Sequence, residues 1–287
     1  MKAALIIGRG TAGQRYGRLL EKSGIDISVE YHDRQSVIGN YDYVIVASHT
    51  KDHFEDILAV KGKSNHYLLE KPIVANAKQL AVLEEHFFSQ GVRVFTGDQF
   101  YFSPVLQQLK QDVSLEFEKI QSVEITYSDA LENVTKGRSD SYFFDADCGG
   151  VLKTFSHAFF VFVSAFSAES TRLIKVQKRK KFEHDAVYSS ISSDWNFAER
   201  FPIKVTTDVE NSKLVFEATL QGDFGVAKYD FINGTITREN EFVQKECATR
   251  EDLIKANANN FLMLADTGQI EYSKLSLRKI WEVEAWH

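Results

Sequence analysis

The strongest constraint on how this chain can fold lies at its start. Ala3-Ala4-Leu5-Ile6-Ile7 runs directly into Gly8-Arg9-Gly10-Thr11-Ala12-Gly13 and then into Gln14-Arg15-Tyr16-Gly17-Arg18-Leu19-Leu20-Glu21. An apolar run, a glycine-rich turn and a helix-compatible stretch, in that order, predict a buried strand that turns sharply into a helix. In that context the G-x-G-x-x-G spacing points to a dinucleotide. Gly8 permits the tight turn, Gly10 lets a pyrophosphate approach the backbone, and Gly13 lets helix and strand pack closely. Thr11 and Ala12 open the helix, whose first free N–H groups would face the phosphates. Counting 20 residues on from Gly13 reaches Asp33, at the end of the candidate strand Ile25–Tyr31. A carboxylate there accepts hydrogen bonds from a ribose 2′-OH and repels a 2′-phosphate, which favours NAD. The adjacent Arg34 offers a guanidinium that can hold that phosphate instead, so NADP stays open. The plain alternatives are an ordinary strand–turn–helix and a solvated turn aspartate.

A chain of 287 residues with 44% hydrophobic content can bury one large core or two smaller ones, and two domains is the expectation. A formal net charge of −6 argues against nucleic acid as a partner. The basic cluster Lys175-Val176-Gln177-Lys178-Arg179-Lys180-Lys181 reads as a charged edge strand rather than a phosphate track. Cys148 and Cys247 form no C-x-x-C pair and no disulfide framework, which suits a reducing cytoplasm. No signal peptide or bilayer-spanning apolar run is read, so no membrane partner is expected. His32, His49, His53 and His66 lack metal-ligand spacing, and no metal site is expected.

The first third alternates strand and helix. Tyr43–Ala47 and Tyr67–Leu69 read as buried strands, Lys51–Val60 as a helix capped by Thr50, and Asn76 as the cap of another helix. Val92–Thr96 closes the series, which implies a parallel sheet with crossovers. The link from Asp33 to Tyr43 is too short for a full helix. After Pro104 the character changes. A short helix around Val105–Lys110 precedes β-rich runs at Ile120–Tyr127, Thr171–Lys178, Ala186–Asp194, Pro202–Asp208, Lys213–Leu220, Gly225–Ile232 and Thr235–Thr237. These predict an antiparallel sheet, with a hairpin at Asn233-Gly234. Glu251–Thr267 and Lys274–Glu284 read as helices, and the aromatic-rich Phe155–Phe166 as helix core. The expected division is a doubly wound α/β domain over residues 1–103 and a second α/β domain over 104–287.

Glu70-Lys71-Pro72 follows a strand at its carboxyl end, where open α/β sheets place ligands. A lysine beside a nicotinamide can donate or accept a proton as hydride moves; a surface lysine before a turn proline is the plain alternative. Taken with the glycine turn and Asp33, this motif resembles the Gfo/Idh/MocA oxidoreductases. Ala47-Ser48-His49-Thr50-Lys51-Asp52-His53 resembles that family's T-P-x-x-x-H segment, with His49 where proline is usual. Gly97–Pro104 is similar to its domain-crossing segment, with Tyr101 where arginine is common. Cys148–His157 is similar to the glycine-rich stretch leading to its active-site Asp and His, and the Asn259-Asn260-Phe261-Leu262 region to its closing helix.

The resemblance implies a Rossmann domain followed by an α/β domain on an open, mostly antiparallel sheet. It implies NAD(P)-dependent oxidation or reduction of a sugar, polyol, nucleotide-sugar or related carbonyl compound, and a homodimer or homotetramer formed through the sheet. Lys71 maps onto the catalytic lysine and His157 onto the active-site histidine. Ser48, His49, His53 and Glu70 fall with Lys71 on the cofactor side, and Tyr101, Tyr142 and Lys153 on the substrate side. The family's aspartate falls at Thr154, so the acid is missing. Arg138-Ser139-Asp140-Ser141-Tyr142 resembles the R-D-Y loop of members from bacterial surface-sugar pathways. There Arg138 can bind a carboxylate or phosphate and Asp140 can supply the absent acid, or the two form a solvated ion pair. A dinucleotide-binding sensor or assembly subunit without turnover is the rival reading that Thr154 keeps open.

Overall fold

The computed structural model describes residues 1–88, 91–136, 142–145, 149–180, 187–239, 248, 250–263 and 268–286. Arg138, Asp140, Cys148 and Cys247 lie outside them, and Tyr142 is described only in its backbone. The chain forms two compact units. One comprises Met1–Gln99 with Ile254–Lys274, the other Phe100–Leu253 with Leu275–His287.

The first unit is a five-stranded parallel sheet of β1 (Lys2–Ile7), β2 (Ile27–His32), β3 (Tyr43–Val46), β4 (His66–Leu69) and β5 (Arg93–Thr96), ordered β2-β1-β3-β4-β5. The crossovers are α1 (Thr11–Glu21), α2 (Thr50–Ala59) and α3 (Ala77–His86); β2 and β3 are joined through a single 3-10 turn, Arg34–Ser36. The central strands are apolar on both faces, because helices cover both. On one face Ala4, Ile6, Tyr43, Ile45, Leu68 and Phe95 form a core with Tyr16 and Leu20 of α1. Gly13, Tyr16, Gly17 and Leu20 are buried at a three-and-four spacing, the stripe of a helix lying on a sheet. A Cβ on Gly17 would sit 1.8 Å from the Tyr31 hydroxyl, so α1 lies closer to β2 than a side chain there would permit.

The second unit contains α4 (Pro104–Leu115), β6 (Ile120–Ser128), α5 (Leu131–Thr135), α6 (Gly150–Thr154), α7 (His157–Ala165) and the strands β7 (Thr171–Arg179), β8 (Ser190–Phe197), β9 (Phe201–Asp208), β10 (Val215–Gly222), β11 (Gly225–Asp230) and β12 (Thr235–Arg238). The seven strands are ordered β12-β11-β10-β6-β9-β8-β7 and are antiparallel except for the β6–β9 pair. β7, which carries Lys175, Lys178 and Arg179 of the basic cluster, is an edge strand among the described residues. Residues His157–Ser164 of α7 are all buried, and α7 packs on β6 and β9. α4 runs from Pro104 past the predicted end at Lys110 to Leu115; Ser103 caps its start and Pro104 fits its first turn. The last helices are α8 (Arg250–Met263) and α9 (Gln269–Glu284). Phe261 and Leu262 of α8 enter the core of the first unit, where Phe261 meets the rings of Tyr43 and Phe95 edge-on at 5.4 and 5.5 Å.

Candidate nucleotide site in the parallel sheet

Strand register assembles the site. Ile7 pairs with His32 on one side and Val46 on the other; Val46 pairs with Leu69, and Leu69 with Thr96. The next residues therefore share one carboxyl edge: Gly8, Asp33, Ala47, Glu70 and Gly97. Along this edge the chain winds from β1 to β2 in one direction and from β3 to β5 in the other. The reversal between β1 and β3 is the switch point where open α/β sheets bind ligands.

The glycines have the sterics such a site needs. Gly8 has φ +103°, and a Cβ on it would come within 2.5 Å of the Ala47 carbonyl and the Ser48 nitrogen. A Cβ on Gly13 would sit 2.0 Å from the Gly8 carbonyl oxygen. At Gly10, by contrast, a Cβ would meet nothing within 4 Å, so the backbone at the start of α1 is open on that side. Gly10 caps α1 without a side chain, and Thr11 is exposed. An open backbone turn at a helix N-terminus, with a carboxylate one strand away, fits the diphosphate and ribose of a dinucleotide.

Asp33 is exposed beyond β2. Arg34 instead turns onto α2, its Nη2 3.1 Å from Asp52 Oδ1 and its Nε 3.1 Å from Asp56 Oδ1. Asp56 also accepts a short hydrogen bond from the Ser48 hydroxyl. Burial raises the Asp56 carboxyl above its usual range, against the opposing effects of Ser48 and Arg34. His53 is buried, with Nδ1 2.8 Å from the Pro72 carbonyl and Nε2 3.0 Å from the Ser48 carbonyl, so it ties the loop after β3 to the loop after β4. His49 is exposed at the N-cap of α2.

Glu70 is only 8% exposed. Its Oε1 accepts from Tyr16 at 3.0 Å and Arg15 at 3.1 Å, and its Oε2 accepts the Lys71 backbone N–H at 3.0 Å. A Cβ on Gly97 would lie 2.4 Å from Oε2, so Gly97 makes room for the carboxylate. Lys71 is half-buried, and its peptide bond to Pro72 is cis.

Residues 19–98 match the family described as Gfo/Idh/MocA, the oxidoreductase family with an NAD-binding Rossmann fold. That match lies within the parallel-sheet unit and is to the family's NAD-binding Rossmann domain. No curated protein sequence matches the chain. Solved structures share the fold over nearly the whole chain. UDP-N-acetylglucosamine 3-dehydrogenase from Acidithiobacillus ferrooxidans is 13% identical with a TM-score of 0.74, covering 98% of this chain and 96% of that one. Biliverdin reductase from Synechocystis, in complex with biliverdin and NADP+, is 14% identical with a TM-score of 0.76, covering 96% of each. Levoglucosan dehydrogenase, in complex with NADH, is 12% identical with a TM-score of 0.77, covering 99% of this chain and 97% of that one.

The substrate-side residues lie in the second unit. His157, 1% exposed, opens α7, with the Phe100 ring edge-on at 4.9 Å and the Tyr127 ring near-parallel at 6.4 Å. Lys153 on α6 is buried, its ammonium 3.1 Å from Glu284 of α9. Thr154 ends α6 half-buried, and Tyr101 is half-buried beside Phe102, ring to ring at 5.2 Å. Among the described residues no His/Cys/Asp/Glu group can hold a metal ion, and no helix is long and apolar enough to cross a membrane.

Sequence reasoning missed Arg15, Tyr16, Asp52 and Asp56. The spacing of Asp52 and Asp56, one helical turn apart, was a signal that they share a face. Nothing local indicates that the face meets Arg34.

Proposed function

We propose that the chain is an NAD(P)-dependent oxidoreductase acting on a sugar, nucleotide-sugar or related carbonyl compound, with Lys71 as general acid/base. The observation that carries this is the shared carboxyl edge, which sets Glu70-Lys71 two strands from Gly8 and three from Asp33. A bound nicotinamide supplies or accepts the hydride. The first turn of α1 offers N–H groups to the diphosphate, and Asp33 accepts from the ribose. Glu70 holds the Lys71 backbone while the Lys71 ammonium exchanges a proton with the reacting oxygen or nitrogen. The family resemblance gives His157 the part of polarising that oxygen, and gives Tyr101, Arg138, Asp140, Tyr142, Lys153 and Thr154 the substrate side. One of the similar structures is a biliverdin reductase, so the fold also serves substrates other than sugars.

The test is NADH oxidation against a panel of carbonyl compounds, wild type beside Lys71→Ala, with nucleotide affinity measured by fluorescence titration. Loss of the general acid/base should lower turnover by about 10²–10⁴-fold while NADH still binds. Thr154, at the position of the family's acid, favours one second reading, a nucleotide-binding sensor. Tight NADH binding with no Lys71-dependent turnover on any compound would establish that reading instead.

A further inference from the structure

The Asp33-Arg34 pair presents two opposite answers to a ribose 2′-substituent. The carboxylate suits a hydroxyl, and the guanidinium suits a phosphate. The geometry of α2 decides between them. Arg34 directs both its Nε and an Nη at carboxylates one helical turn apart, Asp52 and Asp56, each at 3.1 Å. Two donors of the guanidinium fork are thereby used, and two negative charges face its one positive charge. Asp56 cannot easily swing away, because its side chain is 4% exposed and the Ser48 hydroxyl donates to its other oxygen. Asp33, in contrast, is exposed and stands level with Gly8 across the β1–β2 pair.

We propose that Asp52 and Asp56 are specificity-determining residues. They hold Arg34 against α2, away from the ribose edge, so that Asp33 alone reads the 2′ position and the site selects NAD over NADP. The proposal rests on the nucleotide-binding reading above and adds which nucleotide is chosen and by what device. Asp52 and Asp56 act through Arg34 and need not touch the nucleotide. Ser48 takes part by fixing the Asp56 carboxylate. In this arrangement the guanidinium is already neutralised, and a 2′-phosphate arriving beside Asp33 meets three carboxylates with a single committed cation among them.

The experiment is calorimetric or fluorescence titration of the whole protein with NAD+ and with NADP+, without any turnover. Asp52→Asn is the first variant, since Asp52 is 35% exposed and its replacement leaves the core intact. Asp52→Asn/Asp56→Asn is the second. Releasing Arg34 should lower the NAD-to-NADP affinity ratio by about tenfold, the effect of one charge-assisted hydrogen bond gained by the phosphate. Adding Arg34→Gln to Asp52→Asn should take that gain in NADP affinity away, which mere loosening of α2 or general loss of negative charge would not do. An unchanged ratio in both released variants, with NAD+ still bound, overturns the clasp and leaves the nucleotide reading standing. An NADP gain that survives Arg34→Gln also overturns it. Failure of the wild type to bind either nucleotide overturns both readings together.

Discussion

At Glu70 a single carboxylate answers donors from two elements. Tyr16 and Arg15 reach it from α1, and the Lys71 amide reaches it from the loop after β4. A buried carboxylate is stable only when its lone pairs are met, and here they are met by the helix that begins at the glycine turn. The same contact acts on Tyr16. Burial first, and the Glu70 charge second, push its phenol well above the usual value. The folded chain therefore keeps this proton where the unfolded chain has released it. The contribution is constant below the unfolded phenol pKa of about 10, and stability falls as pH rises beyond it. Urea unfolding at about pH 8 and about pH 10.5 should show a drop in midpoint that is smaller in Tyr16→Phe, although that variant is the less stable of the two at neutral pH. An identical drop in both proteins would mean that Tyr16 ionises freely in the fold.

Among the elements, β5 shows how an edge strand of a parallel sheet is finished. Among the described residues its outer backbone has no further strand to pair with, which ordinarily invites another chain. Side chains of α8 and α9 pair with it instead. Asn257 Nδ2 donates to the Thr96 carbonyl at 2.9 Å, and Gln269 Nε2 donates to the Thr96 and Asp98 carbonyls at 3.2 and 2.7 Å. Ser273 bridges Thr96 and Asp98 at 2.8 and 2.6 Å. All these groups are buried, so their bonds cannot be exchanged for water. Gln269→Leu keeps the volume but removes the donor to the Asp98 carbonyl and one of the two donors to the Thr96 carbonyl, and should cost about 1–3 kcal/mol, read as a lower urea midpoint at unchanged slope. A neutral substitution would show that the helices are held to β5 by their apolar contacts alone.

For the molecule as a whole, the seven-stranded sheet raises the question of its second face. One face carries α6 and α7. The alternate residues present a mixed-charge row across five strands: Asp194, Lys204, Glu124, Thr219 and Lys228 stand side by side by register. Lys204 sits between opposite charges, with Glu124 3.6 Å away. We expect this face to join copies of the chain into a homodimer or homotetramer. Light scattering should give a multiple of the 32.7 kDa chain mass, and Lys204→Glu should shift it toward the single chain by placing like charges in one row. A wild-type protein that scatters as one chain would mean that the row is simply a solvated surface.

Much of this architecture is written locally. The apolar runs of β1 and β3, the Asn76 and Ser103 caps and the Asn233-Gly234 turn depend on neighbours in sequence, and so does the order of strand, glycine turn and helix. Period and capping are local properties, and they sufficed for the parallel sheet, for the strand-rich second unit and for the expectation that Asp33 and Lys71 end strands on one edge. What only the tertiary structure decided is which distant groups meet. Phe261 enters a core built from the first hundred residues, Arg34 faces Asp52 and Asp56, and Glu70 meets Tyr16. The parallel β6–β9 pair inside an otherwise antiparallel sheet is of the same kind. Each of these contacts depends on the angle at which one packed element lies on another. A helix's spacing shows which residues share a face, but only packing determines what that face touches.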